Sequence, residues 1–242
     1  MNEYLIIAKH CLSISVGYAI LYFILLFNEI FMKQKYSTRM YIVKNFLKSF
    51  ILFYIAVNMS YDLLSDYLEG ITILDNNMIR IYGSLYVSND IVALIVVRRL
   101  PLTTKIHHTV TTLLLLYFFT LDINDYSNIG ILILVYSFFS VYAFTVNFYL
   151  AARYFRVEDR NYVTKYINKN RYIDNIRHWS YYIYALLCAI NWTINSIIYM
   201  VKIYNNTLNW EYILYAVIMS MIIRDDLILM DWLKNKSRIV VI

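Results

Sequence analysis

The sequence predicts an all-α polytopic membrane protein with about seven transmembrane helices. Its 242 residues are 61% hydrophobic and 16% charged, with a mean hydropathy of +0.53. That leaves too few charges to coat a soluble globule. Apolar runs of membrane length are also separated by basic segments that alternate with acidic or neutral ones.

A helix needs about 20 mainly apolar residues to cross hydrocarbon. Runs at 11–32, 129–152, 179–201 and 210–231 meet that length, and shorter ones at 45–63, 80–97 and 104–121 complete the set. Open sheet edges cannot face lipid, so all should be helices. The first run is too long for a signal peptide and no small-residue cleavage site follows it before Glu29 and Lys33, so it is read as retained. Only four Gly and one Pro punctuate the chain. Little therefore marks a second domain. Cys11 and Cys188 make no disulfide framework and read as packing residues.

The connecting segments test the count independently. Residues 33–48 carry Lys33, Lys35, Arg39, Lys44 and Lys48 with no acid, and the next connection carries Asp62, Asp66, Glu69 and Asp75. Arg98, Arg99 and Lys105 follow, then Asp122 and Asp125, then a basic stretch from Arg153 to Arg177. After Lys202 and Glu211, the end of the chain holds Lys234, Lys236 and Arg238. This alternation fits seven spans under the positive-inside rule, with the N-terminus lumenal or outside and the C-terminus cytoplasmic. Trp179, Trp210 and Trp232 fall near span ends, as interfacial rings do, and Asn205-Asn206-Thr207 is a glycosylation sequon on the expected lumenal side. The net charge of +6 is spread among these loops, so no nucleic-acid partner is expected.

Ionisable groups within spans are costly and face a bundle interior or a watery cavity. Asp90 falls in the third span, His107 and His108 open the fourth, Arg224-Asp225-Asp226 sits in the last, and Glu29 ends the first with Lys33 four residues on. The Arg224 cluster and the Glu29–Lys33 pair read as self-neutralising groups near the surface. At 100° per residue, Thr104, His107, His108, Thr111 and Thr112 share one helical face opposite Val110, Leu113 and Leu114. Adjacent histidines diverge too far to chelate one ion, and no H-x-x-x-H is present, so no metal is expected. Acid–base or nucleophilic work by imidazole and plain hydrogen bonding between helices both remain open. Asp90, on an antiparallel neighbour, could partner the pair, although its place in the run puts it several ångströms deeper than His107. Asn147, Asn191 and Asn195 mark further inward faces, or ties between helices.

These residues resemble the TLC-domain family, which includes ceramide synthases and the translocating-chain-associating membrane protein. The likeness rests on Leu85-Tyr86-Val87-Ser88-Asn89-Asp90, similar to an aromatic-rich stretch ending in Asp, followed by Ile106-His107-His108-Thr109-Val110-Thr111, similar to a paired-histidine segment. Ser140 to Asn147 and Asp231-Trp232-Leu233-Lys234 resemble two later elements. The resemblance implies a six-helix membrane barrel over 45–235, around a lipid-sized cavity, in the endoplasmic reticulum or a related membrane. Residues 1–44 would then be a first span with a basic cytoplasmic loop, and 236–242 a cytoplasmic tail. It also implies that His107, His108 and Asp90 are catalytic if the chain is an enzyme. The synthase signature has a carboxylate before the histidines and charged residues after them, whereas here 98–106 lacks an acid and 109–121 lacks any charge. The chain therefore stands nearer the small non-synthase members.

Two functions follow as expectations. The first is a protein that binds, senses or handles membrane lipid in a cavity lined by Asp90, Thr104, His107, His108, Thr111, Thr112, Asn147, Asn191 and Asn195. The second is a ceramide-synthase-like N-acyltransferase, for which acyl-CoA would be a substrate; no cofactor is expected. Membrane lipids are the expected partners, and a homodimer is open. A seven-helix receptor is disfavoured, because Glu158-Asp159-Arg160-Asn161-Tyr162 follows the fifth span rather than the third. The orientation predicts that a glycosylation acceptor inserted within 33–44 stays unmodified in microsomes, and a modified tag there would overturn it.

Overall fold

The computed structural model describes residues 3–68, 75–98, 100–125, 128–156, 163–205 and 208–235, and among them there is helix but no strand. The Glu158–Tyr162 motif and the 236–242 segment lie outside the described residues, as do Asn206 and Thr207 of the sequon. The helices are α1 (Glu3–Leu25), α2 (Glu29–Met32), α3 (Tyr36–Leu68), α4 (Asn76–Val96), α5 (Leu102–Phe118), α6 (Gly130–Ser140), α7 (Phe144–Ala152), α8 (Val163–Tyr204) and α9 (Trp210–Lys234). Five stretches are long and apolar enough to cross a bilayer: Tyr4–Leu25, Tyr36–Ser65, Asn76–Val96, Gly130–Phe155 and Asn170–Tyr204. The chain is thus an all-helical, multi-pass integral membrane protein. α5 and α9 also fall on predicted spans but do not join those five, since α5 has 17 residues and α9 carries Arg224, Asp225 and Asp226.

Helix ends are set by local chemistry. Asn28, Asp75 and Asn209 stand just before α2, α4 and α9, and each side chain accepts two backbone N–H bonds from the first turn. Pro101 precedes α5; its fixed φ suits a helix start, and its carbonyl accepts from Lys105 N at 3.0 Å. The Asn28 cap ends the first hydrophobic run early, so α1 spans Glu3–Leu25 where 11–32 was expected. With no proline or glycine between Tyr36 and Leu68, α3 extends back through the expected loop. Lys44 and Lys48 therefore lie inside a helix.

Six helices close on themselves through neighbouring pairs. α3 packs on α4, α4 on α5, α5 on α9, α9 on α8, α8 on α7, and α7 returns to α3, while α6 rests against α5 and α8. α1 lies outside, against α4 and α3. Its close approach needs Gly17, where a methyl group would meet Leu47 Cδ2 at 3.3 Å. Within the ring, Leu132, Phe118, Met219 and Ile222 share one apolar cluster, all nearly inaccessible.

α6 and α7 form one crossing interrupted by a 3₁₀ turn at Val141–Ala143. Neither proline nor glycine causes it. Ser140 Oγ donates to Ser137 O at 2.8 Å, which competes with the regular ladder. Side chains also donate to carbonyls at and just after the turn: Asn147 to Ala143 O, Ser49 to Phe144 O and Ser180 to Thr145 O. Such compensation is what hydrocarbon demands of a broken helix.

At the acidic end, the Asn76 amide donates to Asp122 at 2.7 Å and Asn76 Oδ1 accepts from Ile123 N. That amide, followed by the Asn124 N–H, holds the Asp122 carboxyl below its ordinary range.

Tyr215 on α9 fixes the three-way junction, with its hydroxyl 3.0 Å from Leu132 O on α6 and 2.9 Å from Asn195 Oδ1 on α8. Tyr215→Phe should cost about 1 kcal/mol in reversible unfolding from detergent, in line with interhelical bonds in membranes. An unchanged stability would show that the hydroxyl does not hold the junction.

Candidate functional site

The short connection between α4 and α5 decides which polar groups meet. Asp90 lies six residues before Val96, the end of α4, and His108 six after Leu102, the start of α5 (96 − 90 and 108 − 102). In antiparallel neighbours both therefore sit about 9 Å from the same end. Asp90 Oδ2 lies 3.1 Å from His108 Nδ1, both side chains being buried. The sequence reading placed Asp90 deeper because it started this span at 104; α5 starts at Leu102, and the difference brings His108, not His107, level with the carboxylate.

Lys48 completes the cluster from α3. Its Nζ lies 2.5 Å from Asp90 Oδ1, with side-chain exposures of 7% and 0%. The Tyr86 ring covers the ammonium at 5.2 Å from its centroid. Behind Asp90, Tyr18 of α1 donates to the neighbouring Asn89 at 3.5 Å. One Asp90 oxygen is thus held by an ammonium, and the other lies close to an imidazole nitrogen without making a hydrogen bond to it. A proton on His108 Nδ1 would leave Nε2 as an acceptor, and that Nε2 has no hydrogen-bond partner.

His107 turns to α9, with Nδ1 3.6 Å from Asp225 Oδ2, and the two imidazole centroids are 5.9 Å apart with an interplanar angle of 78°. Arg224-Asp225-Asp226 divides where self-neutralisation was expected: Arg224 is exposed, Asp225 faces His107, and buried Asp226 accepts from Tyr184 at 2.7 Å. A 100° step per residue sends three adjacent side chains to three environments.

A cavity of about 900 Å³ lies within the ring beside these groups. It reaches from exposed Lys33 and Lys35 past Lys44, Lys48, His107 and His108 to Tyr86 and Tyr136. Beyond those tyrosines lies a second cavity of about 50 Å³ with mainly apolar walls, including Ile55, Met59, Leu115 and Phe118. At the basic end, Arg153 stacks 4.6 Å from the Trp232 ring centroid, and Arg156 pairs with Asp174.

Of the residues read from the sequence, Thr104, His107, His108, Asn147 and Asn191 line the large cavity. Asp90 sits directly behind His108. Thr111 borders the small cavity and donates to the carbonyls of its own helix, and Thr112 donates to His108 O at 2.7 Å. Asn195 belongs to the Tyr215 junction and donates to Asn191 Oδ1 at 2.8 Å, so it ties helices together. Sequence reasoning missed Lys44 and Lys48 because basic residues near a span end ordinarily set topology. Their four-residue spacing on an otherwise apolar stretch was the available signal. Tyr86 entered only as part of the aromatic-rich stretch before Asp90, and Tyr136 and Tyr184 carried no signal in a chain with 26 tyrosines.

Among the described residues, no group of three His, Cys, Asp or Glu side chains could hold a metal ion. No known family model matches the chain, and comparisons with curated proteins and with solved structures likewise find no match.

Removing one member of the Lys48–Asp90 pair leaves the other charged and buried, which typically costs about 3–5 kcal/mol. Lys48→Met and Asp90→Asn should each lose stability of that order, and the double variant should lose less than their sum in a thermodynamic cycle. Additive losses would show that the pair is not coupled.

Proposed function

We propose that this chain is a seven-span protein with a TLC-type six-helix barrel that binds, senses or handles a membrane lipid at a polar site inside the bilayer. The observation that carries this reading is the 900 Å³ cavity bordered by His107 and His108 within the closed set of helices. Its volume falls in the range that holds a sizeable small molecule. The count of seven gains support from α9, whose Asp225 and Asp226 turn inward while Ile213, Leu214, Val217, Met221 and Leu227 are exposed. A mainly apolar exterior, broken by Arg224, with acids on the cavity side suits a spanning helix. The endoplasmic reticulum or a related endomembrane, with the N-terminus lumenal and the C-terminus cytoplasmic, is the proposed setting, and a homodimer fits it.

One observation favours a second reading, an N-acyltransferase. His108 Nδ1 lies 3.1 Å from Asp90 Oδ2 and its Nε2 has no hydrogen-bond partner, so a small turn of the ring would pair a general base with an orienting carboxylate. In that reaction the amine of a long-chain base attacks the thioester carbonyl of acyl-CoA, and the C–S bond breaks. His108 takes the amine proton and returns it to the departing thiolate. Lys48 fixes Asp90 and does not touch substrate.

The two readings separate experimentally. Native mass spectrometry of the protein released from gentle detergent should show a co-purified lipid, and a folded protein that emerges lipid-free would refute lipid binding. Under the second reading, microsomes carrying the protein convert labelled long-chain base and acyl-CoA to ceramide, and His108→Ala lowers the rate by about 10²-fold or more. No conversion by folded wild type would exclude the transferase.

A further inference from the structure

The inner carboxylates around the large cavity each face a side chain other than Lys44. Asp90 meets Lys48 and His108, Asp225 faces His107, and Asp226 accepts from Tyr184. Lys44 differs. It stands one turn before Lys48 on the same face of α3, lines the cavity, and is 4% exposed. Its Nζ lies 5.9 Å from the Tyr41 ring centroid, and among the described residues no carboxylate comes within the 4.0 Å of an ion pair. An ammonium buried in a weakly polar surrounding keeps its charge only beside an anion or a strong acceptor.

The wider lining has the same bias. Seven lining residues are Lys or Arg and three are Asp. The path from the exposed end at Lys33 and Lys35 to Lys44 is therefore positive, while Leu52, Val146, Phe139 and Leu229 supply apolar wall nearby. A water-borne anion would use only the first feature. An amphiphile with a negative head uses both.

Resting on the lipid-binding reading, we infer that Lys44 receives the anionic head of a single-chain amphiphile, a carboxylate or a phosphate monoester. The head displaces water from Lys44 and supplies the counter-charge that the protein's own carboxylates do not. A zwitterionic choline head brings a second positive group into a positive cavity and is disfavoured. Lys48 remains committed to Asp90, so the two lysines divide the work: one holds the scaffold together and one takes the ligand.

The test uses the full chain purified in an uncharged detergent, with occupancy read by native mass spectrometry. The probes are oleate, oleoyl lysophosphatidate, oleoyl lysophosphatidylcholine and inorganic phosphate. Oleate and lysophosphatidate should bind roughly tenfold or more tightly than the choline lipid, and inorganic phosphate far more weakly than either. Lys44→Met should abolish the preference and Lys44→Arg should keep it. Should Lys44→Met not fold, Thr38→Glu, on the same cavity-lining face of α3, introduces an opposing charge and should weaken the anionic lipids selectively. Choline lipid binding as tightly as the anionic lipids overturns the inference and leaves lipid binding standing. So does a preference that survives Lys44→Met or, where that variant does not fold, Thr38→Glu. Phosphate matching lysophosphatidate overturns the lipid-head assignment, and binding of no probe overturns both readings.

Discussion

A carboxylate that water cannot reach is tolerated only where its charge is met by fixed partners, and Asp90 is such a group. Lys48 from α3 and His108 from α5 converge on it, so three consecutive helices are pinned at one depth. Each group alone in hydrocarbon would be costly. Together they satisfy one another, provided the helices keep their register. A slip of one residue in α5 would turn His108 about 100° away and leave the carboxylate half-matched. The polar cluster therefore specifies the arrangement of α3, α4 and α5 more strictly than apolar packing does, since lipid tails compete equally for leucine surfaces.

That register has a consequence for the interior. With α3, α4 and α5 fixed by their polar faces, the ring closes through α9, α8 and α7 around a space that side chains do not fill. Tyr86 and Tyr136 stand between the large polar cavity and the small apolar one. Ser140 and Ala143, at the 3₁₀ turn between α6 and α7, line the wall, and Asn147, Ser49 and Ser180 donate to carbonyls at and just after that turn. Broken backbone, buried charge and unfilled volume occur at one level of the bundle. Elsewhere each would be a defect.

Helix positions are legible in the sequence because the bilayer imposes a length and excludes strands with free edges. All seven apolar runs fall on helices. The Asp90–histidine relation is legible too, since a connection of a few residues makes the flanking helices antiparallel neighbours. Depth is less legible. A start two residues early in α5 shifts a side chain by about 3 Å and brings His108 level with the carboxylate. Lys44 and Lys48 show a different limit: a basic residue near a span end serves topology or the interior equally well by composition. Only the uninterrupted helix from Tyr36, visible in hindsight as a stretch without glycine or proline, separates the two. The turn at Val141–Ala143 has no proline to announce it, and Tyr86 and Tyr136 are lost among many similar residues.

Water should enter the ring from the basic end past Lys44 to His107 and Ser140, while Asp90 behind His108 stays dry. Replacing Cys11 and Cys188 and placing a single cysteine at Ser140, which lines the cavity, gives a direct probe. A small charged methanethiosulfonate reagent should modify Ser140→Cys far faster than Leu113→Cys on the exposed apolar side of α5. Labelling of Ser140→Cys no faster than Leu113→Cys, in a protein of unchanged fold, would contradict a hydrated interior and the site with it.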